Sequence, residues 1–553
     1  IIMRFIKLTI YPILFLAVFS FAESAYGATN VYYSVGQDGT TDRKTGTPTV
    51  TVSGTTATFS EAQTGNIGVG DVVTYNTNDK CYISGKTSQT VWSCVSNTGG
   101  NPPSAAAGTT VNSIKRVFTS LSAAEAGAET LLGTANLVTG DYILNLPCYY
   151  DSGPDTTPVD INGWTTSVNN YIRIYTPQGG SESNNSQRHQ GKWDNTKYRL
   201  EVTDPIAILS NEIAYTKIDG LQVKLTATVN WQFGIVGSGN NSEISNNLVK
   251  GVITSSGGPI YGILAHGTGN TVKIYNNIVY DIKNNNIVIA AIGSGFFSAN
   301  VTAYVYNNTV YNSYYGYQRD AGTFTAKNNI AQACTDGYFG TFNASSDYNI
   351  SNVAADAPGS NSQNGVTVNF VDSANANFHL ANNDTTAKNR GTNLSSDANL
   401  SFSTDIDGQN RTVGDWDIGA DEAMPQVTAS TIGVGGTATI NSSLVGTVSN
   451  NLLVHYTFDG PDYNISTCAV TDRSGQGNNA SCYANRVAPT MGKFGQALHF
   501  PSNPDFEHLL MPNNLVKNNV ILSISAWFKT TSSGVIFGMD NGGFIPTQKV
   551  PSI

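Results

Sequence analysis

From residue 219 to residue 350 the chain returns again and again to one kind of corner, an Asn or Gly pair leading into an apolar residue. The corners read Asp219-Gly220-Leu221, Asn246-Asn247-Leu248, Asn276-Asn277-Ile278, Asn307-Asn308-Thr309, Asn328-Asn329-Ile330 and Tyr348-Asn349-Ile350. Counted from Asp219 the spacings are 27, 30, 31 and 21 residues, and a further 20 separate Asn329 from Asn349. Repeats of this size, each holding short strands, specify a solenoid in which every coil rests on its neighbour. Asn tolerates the left-handed backbone that a sharp corner requires, and stacked Asn side chains can hydrogen-bond from coil to coil.

A second column supports the repeat. Phe233-Gly234-Ile235-Val236-Gly237-Ser238 aligns with Tyr261-Gly262-Ile263-Leu264-Ala265-His266, with Ile287-Val288-Ile289-Ala290-Ala291-Ile292 and with Tyr315-Gly316-Tyr317-Gln318-Arg319-Asp320. Large apolar residues hold the first and third positions, and period two predicts that both face inward. Outward then fall Gly234, Val236, Ser238; Gly262, Leu264, His266; Val288, Ala290, Ile292; and Gly316, Gln318, Asp320. Such a face is mostly apolar, which predicts a cover. An antiparallel sandwich is the competing fold.

Charged residues make up only 12% of the chain, about half the usual share of roughly 25%, which argues against a helical enzyme or a long coiled coil. The net charge of −10 gives no global attraction for nucleic acid. The 55 Gly and 27 Tyr suit a turn-rich β protein.

Arg4 and Lys7, an apolar run over 10–22 and Ala25-Tyr26-Gly27 read as a secretory signal peptide over residues 1–27. No membrane span is expected after cleavage, since the run is shorter than the roughly 20 residues a spanning helix needs. Ile1-Ile2 precede the first Met, and the chain stops after Val550-Pro551, so a fragment incomplete at its C-terminal end is expected. In an exported chain Cys81 with Cys94, and Cys468 with Cys482, are candidate disulfides; Cys148 and Cys334 have no obvious partners. Residues 46–112 read as an inserted small β module and 117–132 as the best helix.

The Asn corners, together with Gly163-Trp164-Thr165-Thr166 and Asn170-Tyr171-Ile172-Arg173-Ile174-Tyr175, make residues 30–350 resemble the secreted bacterial right-handed parallel β-helix proteins that share a fold with pectate lyases. Phe378-His379-Leu380, Asn389-Arg390-Gly391, Asp405-Ile406-Asp407-Gly408 to Arg411, and Asp417-Ile418-Gly419-Ala420-Asp421-Glu422 resemble the closing motif of the choice-of-anchor β-helix family. Beyond a linker over 423–447, Leu453 to Asp459, Asp472-Arg473-Ser474-Gly475 and Gly492-Lys493-Phe494-Gly495 resemble the start of a laminin-G-like (concanavalin-like) jelly roll. The expected architecture is all-β: a right-handed parallel β-helix over 28–422, then a truncated β-sandwich over 448–553. The jelly-roll resemblance implies a structural Ca2+ at Asp459 and Asp472, with a plain turn as the alternative.

A β-helix lyase needs a carboxylate cluster for calcium and a Lys or Arg base; a hydrolase needs paired carboxylates. The outward positions offer only His266 and Asp320, two coils apart and joined by Arg319, as a catalytic set. Lys250, Lys273 and Lys283 are candidate bases, and Arg188-His189 with Trp193 a polar site or a loop anchor. Tyr304, Tyr306, Tyr311 and Tyr314 cluster in one coil and could form a platform for sugar rings. The expectation is an extracellular or cell-surface protein that binds polysaccharide or surface glycans without catalysis. A polysaccharide lyase or glycoside hydrolase, and a structural spacer, are the alternatives.

Overall fold

The structure is a computed structural model that describes residues 27–284, 289–296, 300–411 and 414–423, and short stretches between 456 and 510. The chain divides into two units, Ile1–Ile440 and Asn441–Ile553.

The first unit is a parallel β-helix with three sheets of eight, eight and seven strands. One coil shows the path. Ser242–Ser245 lies in the first sheet, the corner Asn246-Asn247 turns the chain, Leu248–Ile253 lies in the second sheet and Ile260–Ala265 in the third, after which Thr271–Tyr275 re-enters the first. Parallel pairing puts like residues over like. In the first sheet Leu146, Ile174, Ile218, Ile244, Ile274, Val305 and Ala326 stack in register. In the second, Leu200, Val223, Val249, Val279, Val310 and Ala331 do so. In the third, Leu209, Ile235, Ile263, Ile292, Tyr317 and Tyr338 complete one continuous core.

The two Asn of each corner divide the work. The first (Asn246, Asn276, Asn307, Asn328) adopts positive φ between 50° and 56°. Tyr348 takes this place in a later coil and Gly220, at φ 77°, in an earlier one; Asp219 itself pairs with Ser245, so the corner there begins one residue later than the sequence alignment placed it. The second Asn points inward and stacks: Asn247, Asn277, Asn308, Asn329 and Asn349 form a buried ladder, each donating its side-chain amide to the next at 2.9–3.1 Å.

The first Asn points outward to a segment that folds back over the corner. Asn276 Nδ2 donates to the Thr404 carbonyl (2.7 Å), Asn307 Nδ2 to the carbonyls of Asp417 and Gly419 (3.0 Å each), and Asn328 Nδ2 to that of Thr392 (2.8 Å). Beneath the same segment Leu248 and Ile278 meet Phe378, Ile406 and Ala420, while Ile330 and Ile350 meet Leu380 and Ile418. Thus the cover lies along the Asn corner and not, as the outward-facing positions predicted, over the third sheet.

Period two fails in the third sheet, and the sequence reading of its faces needs correction. Pairing skips one position on successive rungs, occupied by Gly234, Gly262, Ala291, Gly316 and Gly337. A Cβ on Gly262 would stand 2.7 Å from the Ala291 carbonyl oxygen of the next coil, and one on Gly316 2.6 Å from that of Gly337. The backbone bends at this column, so the residue before it and the residue after it face opposite ways. Phe233, Tyr261 and Tyr315, expected inside, lie outside; Ile292, expected outside, lies in the core. Ala290, not Ile287, is opposite Tyr261.

Residues 49–115 form a closed six-stranded barrel with its own core, in which Cys81 and Cys94 are disulfide-bonded. The helix Leu121–Leu132 is capped by Ser120, whose Oγ accepts from the Ala123 N–H, and ends at Gly133 in the left-handed conformation. Its buried Leu121, Ala124, Ala128 and Leu132 join the solenoid core. Cys148 and Cys334 are buried free thiols.

The second unit shows a four-stranded antiparallel sheet (Tyr463–Asn464, Ala469–Val470, Ala480–Cys482, Leu509–Leu510) and a hairpin of Ala488–Met491 with Gln496–His499. Cys468 and the Cys482 side chain lie outside the described residues, as do the signal-peptide residues 1–26. Among the described residues no helix is long and apolar enough to cross a membrane.

Candidate functional site

The bend that turned Phe233, Tyr261 and Tyr315 outward creates an aromatic strip on the third sheet. Phe233 stacks on Tyr261 (ring centroids 6.0 Å, 28° between planes), Tyr261 meets Phe296 at 5.9 Å and Phe296 meets Trp231 at 5.5 Å. Further along, Tyr314 meets Tyr315 edge-on at 4.9 Å and Tyr315 stacks on Phe339 at 4.4 Å. Trp231 and Phe339 keep 46% and 42% of their surface exposed, and Ile206 beside the strip 79%. These rings span the five strands Gln232–Gly237, Ile260–Ala265, Ile289–Ser294, Tyr315–Arg319 and Asp336–Phe339.

Small residues make room for Tyr261. Its ring lies over Gly293 of the next coil, where a Cβ would stand 2.3 Å from it. The hydroxyl thereby reaches one coil further and donates to Asp320 Oδ2 at 2.7 Å. Burial, then the hydrogen bond to Asp320, raise the Tyr261 pKa, so the phenol keeps its proton. Gln318 Nε2 donates to Asp320 Oδ1 (2.7 Å), which leaves Gln318 Oε1 buried with no hydrogen-bond donor from the protein. Asp320, by contrast, is exposed, and a carboxylate beside flat rings suits a ligand that carries both C–H faces and hydroxyls.

The residues expected from sequence are placed as follows. His266 and Asp320 sit on one edge of the strip, two coils apart, with Gly295 in the intervening coil; their backbone N–H groups donate to Gly237 and Ser294. The His266 Nδ1 is 3.5 Å from Ser238 Oγ. Arg319 donates Nε and Nη2 to the Gly322 carbonyl (3.0 and 2.8 Å), away from Asp320. The structure does not gather these three into one constellation. Nor does it gather the four tyrosines. Tyr304 and Tyr306 lie on the first sheet and Tyr311 on the second; Tyr306 is fully buried under Leu394, Leu400 and Trp416, and Tyr311 lies against Phe378 at 4.8 Å. Tyr314 alone of the four adjoins the strip. Asp472 Oδ2 accepts from the Asn478 N–H at 2.9 Å, and Asp459 lies outside the described residues.

Arg188 pairs with both carboxylate oxygens of Asp219 at 2.8 Å, and His189 Nε2 lies 2.8 Å from the Asn246 carbonyl oxygen. Burial, then the Arg188 charge, hold the His189 pKa down at about 3, so its ring is neutral. Lys273 lies 3.6 Å from Glu243, and Lys283 is half-buried after the strand Ile278–Tyr280.

Lys250 differs from them. Glu201, Lys224 and Lys250 are in register on the second sheet, with Trp193 laid 3.6 Å over the Lys250 ammonium. Burial, and then the Lys224 charge, pull the Lys250 pKa down to about 8. At pH 8 roughly half of Lys250 is then the free amine, against less than about 1% of a lysine with the ordinary value. Limited acetic anhydride labelling at that pH is expected to modify Lys250 ahead of Lys224 and Lys273. Mass spectrometry in which Lys250 trailed both would contradict the shift.

One further cluster was read in the sequence only as parts of the closing motif, with no sign that its residues meet. His379, Asp407 and Asp421 come together in the closing segment, with Asp405 and Arg411 beside them. Burial, then the Asp407 charge, raise the Asp405 pKa to about 7.

No protein-family model matches the chain, and no curated protein does. Among solved structures the crystal structure of pectate lyase Pel9A is similar at 14% identity, covering 55% of this chain and 91% of that chain, with a TM-score of 0.24. The parallel β-helix rests on the strand register given above.

Proposed function

We propose that the chain is an exported, non-catalytic protein that binds polysaccharide along the aromatic strip of its third sheet. The observation that carries this reading is the row of rings from Trp231 and Phe233 to Tyr315 and Phe339, with the exposed Asp320 carboxylate at its edge. Rings offer apolar faces to the C–H side of a sugar, and the Asp320 carboxylate takes its hydroxyls. Residues 1–27 serve as the secretory leader, 28–422 as the β-helix closed by a choice-of-anchor-type motif, 423–447 as linker and 448–553 as a laminin-G-like module, with Asp459 and Asp472 as its structural Ca2+ ligands. The Cys81–Cys94 bond suits an oxidising compartment.

Affinity electrophoresis or a glycan array tests the reading. Trp231→Ala and Tyr315→Ala are each expected to weaken binding about 2- to 12-fold, the worth of one aromatic contact at about 0.5–1.5 kcal/mol, while Tyr304→Ala leaves it unchanged. Failure to bind any polysaccharide would favour a structural spacer.

Lyase activity is the second reading, favoured by the depressed pKa of Lys250 near neutral pH. It predicts ultraviolet-absorbing unsaturated products from a uronic-acid polymer, abolished by Lys250→Met; His266, Arg319 and Asp320 are the alternative site for such chemistry.

A further inference from the structure

We propose that His379, Asp407 and Asp421 form a binding site for a divalent transition metal of the zinc class, which fastens the closing segment onto itself. The three come from separate stretches: the strand Asn377–Leu380, the loop after Asp405 and the residues that follow Gly419. One ligand atom from each lies within 4.8 Å of the others. Two ligands bound at roughly 2.0 Å in tetrahedral geometry stand about 3.3 Å apart, so small side-chain adjustments close the set around an ion.

Several details go beyond a grouping of acids. His379 presents Nδ1 to Asn377 Oδ1 at 2.5 Å and Nε2 to Asp407 Oδ2 at 2.8 Å. An imidazole whose Nδ1–H is held by an amide oxygen is oriented as metal-ligating histidines are, with Nε2 available to the ion. The Asp407 side chain is 11% exposed, and its Oδ1 is buried and accepts no hydrogen bond from the protein. A buried carboxylate oxygen without a partner is costly unless something positive occupies the space before it. Gly191, at φ +62°, closes the same side: a Cβ there would stand 2.5 Å from His379 Nε2 and 3.0 Å from Asp407 Oδ1. Asp421 is held in place by the Leu380 N–H, which donates to its Oδ2 at 2.7 Å.

One imidazole nitrogen with two carboxylates selects zinc, cobalt or manganese over Ca2+, which takes six to eight oxygens. This inference stands apart from polysaccharide binding.

The full chain, stripped with chelator, is titrated with Zn2+ and separately with Co2+. The expected result is one equivalent bound with micromolar or tighter affinity and a visible cobalt absorption band. Asp407→Asn and His379→Gln each weaken zinc binding about 10-fold or more, whereas Asp397→Asn, at a separate ion pair with Lys327, leaves it unchanged. Should the first two variants fail to fold, the wild-type stoichiometry and cobalt spectrum decide. Absence of a bound equivalent with its cobalt band, binding of Ca2+ in preference to zinc, or zinc affinity unchanged in folded Asp407→Asn and His379→Gln would overturn the proposal.

Discussion

Asn308→Ala is expected to cost about 3–5 kcal/mol of folding stability, because it empties one rung of the buried ladder. Asn308 Oδ1 accepts from both the backbone N–H and the side-chain amide of Asn277 at 2.9 Å. Its own amide donates to the carbonyls of Ile274 and Tyr306 at 3.0 Å and to Asn329 Oδ1 at 3.1 Å. Alanine leaves the Asn277 N–H buried without its acceptor and breaks the side-chain links to Asn277 and Asn329 on either side. Asn308→Asp is the sharper probe. It keeps the acceptor for Asn277 but sets carboxylate oxygens against three other acceptors, and it is expected to cost at least as much although the shape hardly changes. Urea unfolding measures both. A loss below about 1 kcal/mol for alanine would mean that the ladder is ornament and the apolar columns carry the stacking.

The second large effect lies where the barrel joins the solenoid. Arg116 is fully buried; Nη1 donates to both oxygens of Asp71 at 2.7 Å, Nη2 to Asp151 at 3.0 Å, and the guanidinium lies 3.8 Å over the Tyr149 ring. Arg43 holds the other side of Asp151 at 2.9 Å. Arg116→Met strands Asp71 in a fully buried position and is expected to destabilise the protein by about 3–5 kcal/mol. Asp71→Asn in the same chain removes the stranded charge and is expected to restore a large part of that loss. Denaturant midpoints of the two single variants and the double variant give the coupling. Strictly additive losses would contradict the account.

The Asn corners were legible in the sequence because the same dipeptide recurs beside apolar residues, and the core columns followed from it. Which Asn of each pair stacks inside and which reaches outward was not legible, since both are the same residue and only the left-handed φ of the first separates them. Gly262 and Gly316 explain why the faces of the third sheet were misread. A bend carried by a missing Cβ breaks period two without leaving a polar or turn-forming residue to mark it. Phe233, Tyr261 and Tyr315 were thus assigned to the interior and the aromatic search went to Tyr304, Tyr306 and Tyr311, which the closing segment covers. His379, Asp407 and Asp421 were quoted only as parts of a closing motif; nothing in a linear reading tells that 379 and 421 meet.

The cover along the Asn corner also sets an order of events in biosynthesis. Asn276 waits for Thr404 and Arg411, and Asn307 for Gly419, partners 128, 135 and 112 positions downstream. At typical elongation rates of 5–20 residues per second, the roughly seventy residues after the last ladder Asn take about 4–15 s to emerge. Through that interval the nascent coils carry a greasy seam formed by Leu248, Ile278, Ile330 and Ile350. A ribosome stalled near residue 360 would therefore release a chain with its ladder finished and its seam bare, a natural client for a chaperone.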